Sequence, residues 1–399
     1  MEAALWVGID VGRYFHAFCA LDGAGQVVWE RKRVVNTTLA LRTTLEQLQQ
    51  IARGKKVCFA TEEAGGNASA LMRLLAQGEE VVLLAQPLRV HRFHLALGQP
   101  HKSDPYDAQV IAEFARQNQA RLPRVRPGSP QRQALRVLSR RLEAVSKDLR
   151  RCLNRLRGTL AEYAPEWLVC GVFSDWSSEA ALSTLERYGR LSKLRRTPLS
   201  RLSQALSRWT RGRFGQEHAR RLSTSLAAAA LAPALEEAYA EALLSLVRQI
   251  RSLLAEKHQL QQLISARGQS LPAFVTLQQE YSYGLETAAI IVSEAGEMAD
   301  FATEAKFATY CGLTPLKRSS GISPGSSRLS RFTNKRLLRA IFQATVAAVR
   351  RDPRSQAYYH KKLAGRTDPR TKTTALLALA RHRCRRLYQL LSQAERLAA

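Results

Sequence analysis

Leu135, Leu138, Leu142, Val145, Leu149, Cys152 and Leu156 follow one another at alternating steps of three and four residues. That spacing keeps returning an apolar side chain to one stripe of a helix. A second seam of the same kind runs through Tyr239, Leu243, Leu246, Ile250, Leu253, Lys257, Leu260 and Ile264. A fold built on this chain must cover both stripes. The seams can pair as an antiparallel coiled-coil arm, within one chain or between chains, or they can serve as two ordinary bundle helices. Ser129-Pro130 supplies a cap and a first-turn proline for the first of them, and residues 122–130 before it read as a linker.

Ahead of the linker the pattern changes. Leu5 to Asp10, Phe15 to Leu21 and Gln26 to Val35 read as three strands joined by turns, with Val27, Trp29 and Val35 on one face of the third. Thr37 or Thr38 caps a helix running to about Arg53, Lys56 to Thr61 is a fourth strand, and a helix leads to a fifth strand at Val81 to Ala85. Hairpin-linked strands followed by alternating helix and parallel strand predict an α/β domain over 1–125, with strand ends as natural places for a site.

The arm is expected over 126–270, with an insertion at about 163–232 anchored by Trp167, Phe173, Trp176 and Trp209. A third, α-helical domain is expected over 271–399. Two short helices are read in 284–311, then a Ser/Gly-rich loop to Ser330, then basic helices. The net charge is +28, and residues 316–399 carry 20 basic side chains against 3 acidic ones. Such an excess suits a polyanion, nucleic acid above all. No apolar run approaches the roughly 20 residues of a membrane span. Met1 to Asp10 lacks the basic start of a signal peptide. The six cysteines are scattered, without metal-type spacing, and are expected as buried thiols of a cytoplasmic, nucleoid-associated protein.

Four acids stand out. Asp10 ends the first strand, Glu63 follows the fourth, and Asp104 and Asp107 open a helix three residues apart. Singly, each fits a turn or a helix cap. Together they can converge, and converging carboxylates hold Mg²⁺. Sugar kinases and actin-like ATPases open in the same way but need a later Asp-x-Gly. Asp148 and Asp175, the next aspartates after Asp107, do not provide it.

The most distinctive stretch is Gly312-Leu313-Thr314-Pro315-Leu316-Lys317-Arg318-Ser319-Ser320-Gly321, followed by Asn334-Lys335-Arg336-Leu337-Leu338-Arg339. With the acids, it resembles the DEDD-type recombinases, or transposases, of a large group of bacterial insertion sequences that use a bridge RNA. The resemblance covers about 1–160 and 235–350. It implies a RuvC-like, ribonuclease-H-like α/β domain joined by a mostly α-helical coiled-coil arm to an α-helical transposase domain. Asp10, Glu63, Asp104 and Asp107 match the family's acids and Ser320 its nucleophile, with Glu62 and Ser319 as the neighbours a one-residue slip would select.

The activity so implied is RNA-guided cutting and rejoining of donor and target DNA through a phosphoserine, helped by Mg²⁺, two ions being expected. Partners would be DNA, a structured guide RNA and further copies of the chain in a dimer or tetramer. Lys102, Arg140, Arg141, Arg150, Arg151, Lys317, Arg318, Arg328, Lys335, Arg336 and Arg339 are the expected nucleic-acid contacts. The alternative is a junction-resolving endonuclease of the RuvC type that uses the acids and water alone. A non-catalytic nucleic-acid-binding protein is a third reading.

Overall fold

A computed structural model describes residues 5–62, 66–78, 81–97, 104–125, 128–229, 231–318, 326–329, 333–366 and 368–397, with the backbone alone at 104–105, 315–318 and 326–329. The chain forms two compact units, Met1–Gly128 and Ser129–Ala399.

In the first unit β1 (Leu5–Val11), β2 (Phe15–Leu21) and β3 (Val27–Val35) make an antiparallel meander. Helix α1 (Thr38–Ala52) crosses to β4 (Val57–Thr61), and α2 (Ser69–Leu75) to β5 (Val81–Leu84). The sheet order is β3-β2-β1-β4-β5, with β4 parallel to β1 and β5 parallel to β4. Thr37 caps α1 as expected, its side chain accepting from the N–H of Ala40. Val7 and Ile9 pack with α1 and α2 on one face. Trp6, Ala17, Cys19, Cys58 and Ala60 pack on the other beneath α4 (Asp104–Asn118), which follows α3 (Pro87–Ala96).

The expected common face of Val27, Trp29 and Val35 on β3 is corrected. Val27 and Val35 are exposed, Trp29 is half-buried, and Val34 is the buried residue. The pairing shows why. Ala20 and Leu21 of β2 face Trp29 and Val27, and His16 and Phe18 face Val34 and Arg31, so β3 holds an extra residue at two places. Each bulge flips the alternation of an edge strand.

The second unit opens with α5 (Pro130–Tyr163), capped by the Ser129 side chain with Pro130 in the first turn. A helical module follows: α6 (Glu166–Val169), α7 (Glu179–Tyr188), α8 (Leu191–Arg195), α9 (Leu199–Thr210) and α10 (Gln216–Ser225). Helix α11 (Pro233–Gly268) then returns along α5. Arg141 meets Glu256, Cys152 meets Leu246 and Gln249, and Tyr163 stacks on Tyr239. One number rises as its partner falls, so the pair is antiparallel and lies within one chain. Leu135, Leu142, Val145, Leu149, Cys152 and Leu156 are buried in its seam, as are Leu243, Ile250, Leu260 and Ile264.

The remaining elements are α12 (Pro272–Gln278), α13 (Leu285–Ala295), α14 (Glu304–Tyr310), β6 (Pro315–Arg318), β7 (Ser326–Leu329), α15 (Lys335–Arg351), α16 (Pro353–Leu363) and α17 (Pro369–Arg396). No break separates arm from C-terminal domain at 270. Leu135, Leu142 and Val145 share one core with Phe274, Ile291, Leu337 and Leu387. The expected loop to Ser330 is also corrected in part. Its ends form a two-stranded antiparallel ladder in which Lys317 pairs with Ser327 and Arg318 with Ser326. Among the described residues, no helix is long and apolar enough to cross a membrane. All six cysteines are buried and free, as expected.

Candidate functional site

The acid end of the first unit is set by a glycine. A Cβ added at Gly8 would lie 2.0 Å from the carbonyl oxygen of Ala108 and 2.4 Å from the amide nitrogen of Ala112. Only a bare backbone lets α4 come so close to β1. Farther along α4, the Arg116 guanidinium reaches the carbonyl of Gly23 in the β2–β3 turn. That turn lies at the Trp6 end of β1, because Trp6 pairs with Leu21. Helix α4 therefore runs opposite to β1, and its first turn lies at the carboxyl end of the strand.

Asp10 stands at that end. It alternates with Trp6 and Gly8, so it is on the face that α4 covers. Asp107 is in the first turn of α4, where the helix dipole favours a carboxylate. Its Oδ1 lies 3.8 Å from Nδ1 of His94 on α3, and the His94 ring meets the edge of Tyr106 at 5.1 Å. Sequence reasoning missed His94. Its signal was His91 and His94 at helical spacing just ahead of the acid pair. Glu62 follows β4 and is half-buried. Asp104 begins α4, but its side chain lies outside the described residues, as do Glu63 and Lys102. Among the described residues, no three His, Cys, Asp or Glu side chains form a metal-holding group.

The other candidate, Ser320, also lies outside the described residues, and of Lys317, Arg318 and Arg328 only the backbone is described. What flanks this segment is well defined. Gly312, at φ 78°, lies against Thr333, whose side chain would be within 3 Å of any Cβ there. Asn334 caps α15, its Oδ1 accepting from the amides of Arg336 and Leu337. Its Nδ2 donates at 2.9 Å to Glu294 of α13, a carboxylate only 3% exposed. Arg140 of α5 holds the same carboxylate through Nε and Nη2, at 2.9 and 3.1 Å. The Tyr310 hydroxyl donates to the Glu294 carbonyl, and Arg136 to that of Ser293.

Burial alone would raise the Glu294 carboxyl. The hydrogen bonds from Arg140 and Asn334, with the charges of Arg140 and Arg136, outweigh it and hold the group below the usual carboxylate range. Glu143 of α5 is a second hub, ion-paired with Lys147 at 2.8 Å, Arg336 at 2.6 Å and Arg339 at 2.5 Å.

Comparison with known proteins settles the lineage. A family model described as a transposase, the DEDD type of IS110, matches residues 7–165. A model described as "Transposase IS116/IS110/IS902 family" matches residues 277–360. The chain belongs to this transposase family. It is similar over nearly its whole length to proteins of three insertion elements. The 42 kDa protein of IS900 from Mycobacterium paratuberculosis is 28% identical, over 98% of this chain and 96% of that protein. The 43.6 kDa protein of IS110 from Streptomyces coelicolor is 28% identical, over 98% and 94%. The 44.8 kDa protein of IS116 from Streptomyces clavuligerus is 26% identical, over 97% and 94%.

This transposase is thus an enzyme acting on DNA. The expected nucleic-acid contacts of its long helices are mostly engaged within the chain. Arg140 pairs with Glu294, Arg141 with Glu256, Arg151 with Asp148, and Arg336 and Arg339 with Glu143. Arg150 and Lys335 are exposed and form no ion pair among the described residues. Arg151 finds Asp148 one helical turn away, but the carboxylates that hold Arg140, Arg141, Arg336 and Arg339 come from distant positions that sequence spacing does not reveal.

Proposed function

We propose that this transposase is an RNA-guided recombinase that cuts and rejoins DNA through a covalent bond to Ser320. The observation that carries the reading is the placement of Asp10 and the first turn of α4 at one end of the sheet. The donors there are carboxylate oxygens, the ligand type that Mg²⁺ takes, so Asp10, Glu63, Asp104 and Asp107 would hold the metal. When bound, it would stabilise the charge that builds on a phosphodiester under attack.

The Ser320 hydroxyl attacks phosphorus. Its oxygen–phosphorus bond forms as the bond to one deoxyribose oxygen breaks, and the proton lost by the serine is balanced by protonation of the departing oxygen to a hydroxyl. A deoxyribose hydroxyl of the second DNA then attacks the phosphoserine, restoring a diester and freeing the serine. No external energy source is required. Lys317 and Arg318 would hold the scissile phosphate. The basic surplus supports a second polyanion, the guide RNA. The acids and Ser320 lie more than 200 residues apart in sequence, which supports a composite site shared between copies of the chain.

A trapping assay tests the chemistry. Protein, Mg²⁺, the element's non-coding RNA and labelled junction DNA are incubated, denatured and digested. An adduct on Ser320 is expected, absent in Ser320→Ala. Cleaved DNA without an adduct would instead establish hydrolysis of the RuvC type. Mixing Asp10→Ala with Ser320→Ala protein is expected to restore some activity, and a mixture as inert as its parts would rule out sharing between copies.

A further inference from the structure

Between the two matched regions lies a module whose chemistry the reading above leaves unused. Its core is apolar and complete: Trp167, Phe173, Trp176, Tyr188 and Leu206 are all buried. Helix α9 packs Leu202, Ala205, Leu206 and Thr210 inward. Its other face carries Arg201, Gln204 and Arg208, with Arg211 at the C-cap. Steps of three, four and three place all four on one exposed stripe.

The three arginines differ from Arg140, Arg141 and Arg151 of the long helix α5, which are paired within the chain. Residues 163–232 hold five acids, none of them on α9. Glu179 and Glu186 are taken by Arg251 of α11, and Glu217 by Arg220. Asp175 accepts from the amide and hydroxyl of Ser177. Arg201, Arg208 and Arg211 form no ion pair among the described residues. Three like charges left side by side repel one another and stabilise nothing inside the chain. An anion on this stripe would relieve that.

We infer that the α9 stripe is a contact surface for the phosphate backbone of duplex DNA. From Arg201 to Arg211 the helix advances about 15 Å, under half the 34–36 Å turn of B-DNA, so the three guanidiniums can share one run of phosphates. Gln204 adds a neutral donor between them. The stripe holds no aromatic ring on which unpaired bases could stack, which favours duplex over single strand. It also holds no exposed apolar side chain that would enter a lipid surface. The contact is sequence-independent and fixes where DNA lies along the arm. It needs no cleavage, so it stands or falls apart from the role of Ser320.

The test uses the full chain and a fluorescent duplex of arbitrary sequence, titrated by anisotropy between about 50 and 200 mM NaCl. In the R201Q/R208Q/R211Q variant the slope of log affinity against log salt should shrink by about 2.7, at about 0.9 per phosphate released. Affinity at low salt should fall more than about tenfold. The matching triple lysine variant should keep most of the binding, since charge is retained, and thermal unfolding of both should match the parent. Arg220→Gln removes a paired charge from the same module and should leave the slope unchanged. An unchanged slope in the triple glutamine variant would overturn the inference. So would a loss confined to an RNA duplex, which would assign the stripe to RNA, or an equal loss in Arg220→Gln, which would reduce the effect to net charge.

Discussion

At the acid end of the first unit, position is set by backbone meeting backbone: Gly8 leaves room for Ala108 and Ala112, and α4 settles onto β1 with Asp107 carried toward Asp10. At the base of the serine segment, position is set by charge. Buried Glu294 ties Arg140 of α5 to Asn334 at the cap of α15, and Glu143 of α5 holds Arg336 and Arg339 of α15. Steric fixing is indifferent to salt and pH. Electrostatic fixing can be loosened by either. The approach of α4 to β1 is thus fixed by contact, whereas the flanks of the serine segment are held through groups that titrate.

The largest test of that contrast is Glu294→Ala. It leaves the Arg140 guanidinium and the Asn334 amide without their buried acceptor, and should cost about 3–5 kcal/mol in the second unit, read from urea unfolding. A cost below about 1 kcal/mol would mean that solvent replaces the carboxylate and that charge does not set the geometry. Gly8→Ala comes next, at about 3 kcal/mol from overpacking in the first unit. Its cost should be the same at low and high salt, whereas that of Glu294→Ala should not. A harmless Gly8→Ala would show that α4 can lift off β1 freely.

Acid should separate the two regions more gently. Glu294 is held below its ordinary value, so the folded state binds its proton less readily than the unfolded state does. Its stabilisation is present above the unfolded value of about 4.3 and is lost as pH falls toward the folded one. Glu143, Glu179, Glu236 and Asp352 shift in the same direction. Glu395, raised by burial, opposes them: its contribution is present at low pH and lost as pH rises. Urea midpoints of the second unit should therefore drop on moving below about pH 4, and an unchanged midpoint would place the shifts in error. The smallest effect belongs to Arg141→Gln. Its pair with Glu256 is half in solvent, and about 0.5 kcal/mol or less should be lost.

Much of this architecture could be read from residue order. The seam of α5 is buried where its three-four spacing placed it except at half-buried Leu138, Ser129-Pro130 starts the helix, and Asp10 lies at the end of a strand with Asp104 opening a helix. These features depend on neighbours within one turn or one strand. The face of β3 was misread because a bulge is an agreement between two strands, invisible in either alone. The ladder β6–β7 was missed because its strands are four residues each, mostly polar, and too short to show an apolar alternation. The partners of Arg140 and Arg336 come from up to roughly 190 residues away, and nothing local announces them.

The six cysteines gain a use from where they sit. Cys19 and Cys58 are buried beneath α4, Cys152 and Cys170 in the core of the arm and its module, and Cys311 and Cys384 in the C-terminal core. Burial pushes the thiols of Cys19 and Cys58 up to about 12, and raises those of Cys152, Cys170 and Cys311 as well. In the closed protein burial keeps alkylating reagents from all six, and the five raised thiols also hold little of the reactive thiolate. The rate at which each pair becomes labelled then clocks the opening of its own region. The native sequence thus carries three internal timers, one for each packed region, with no engineered probe.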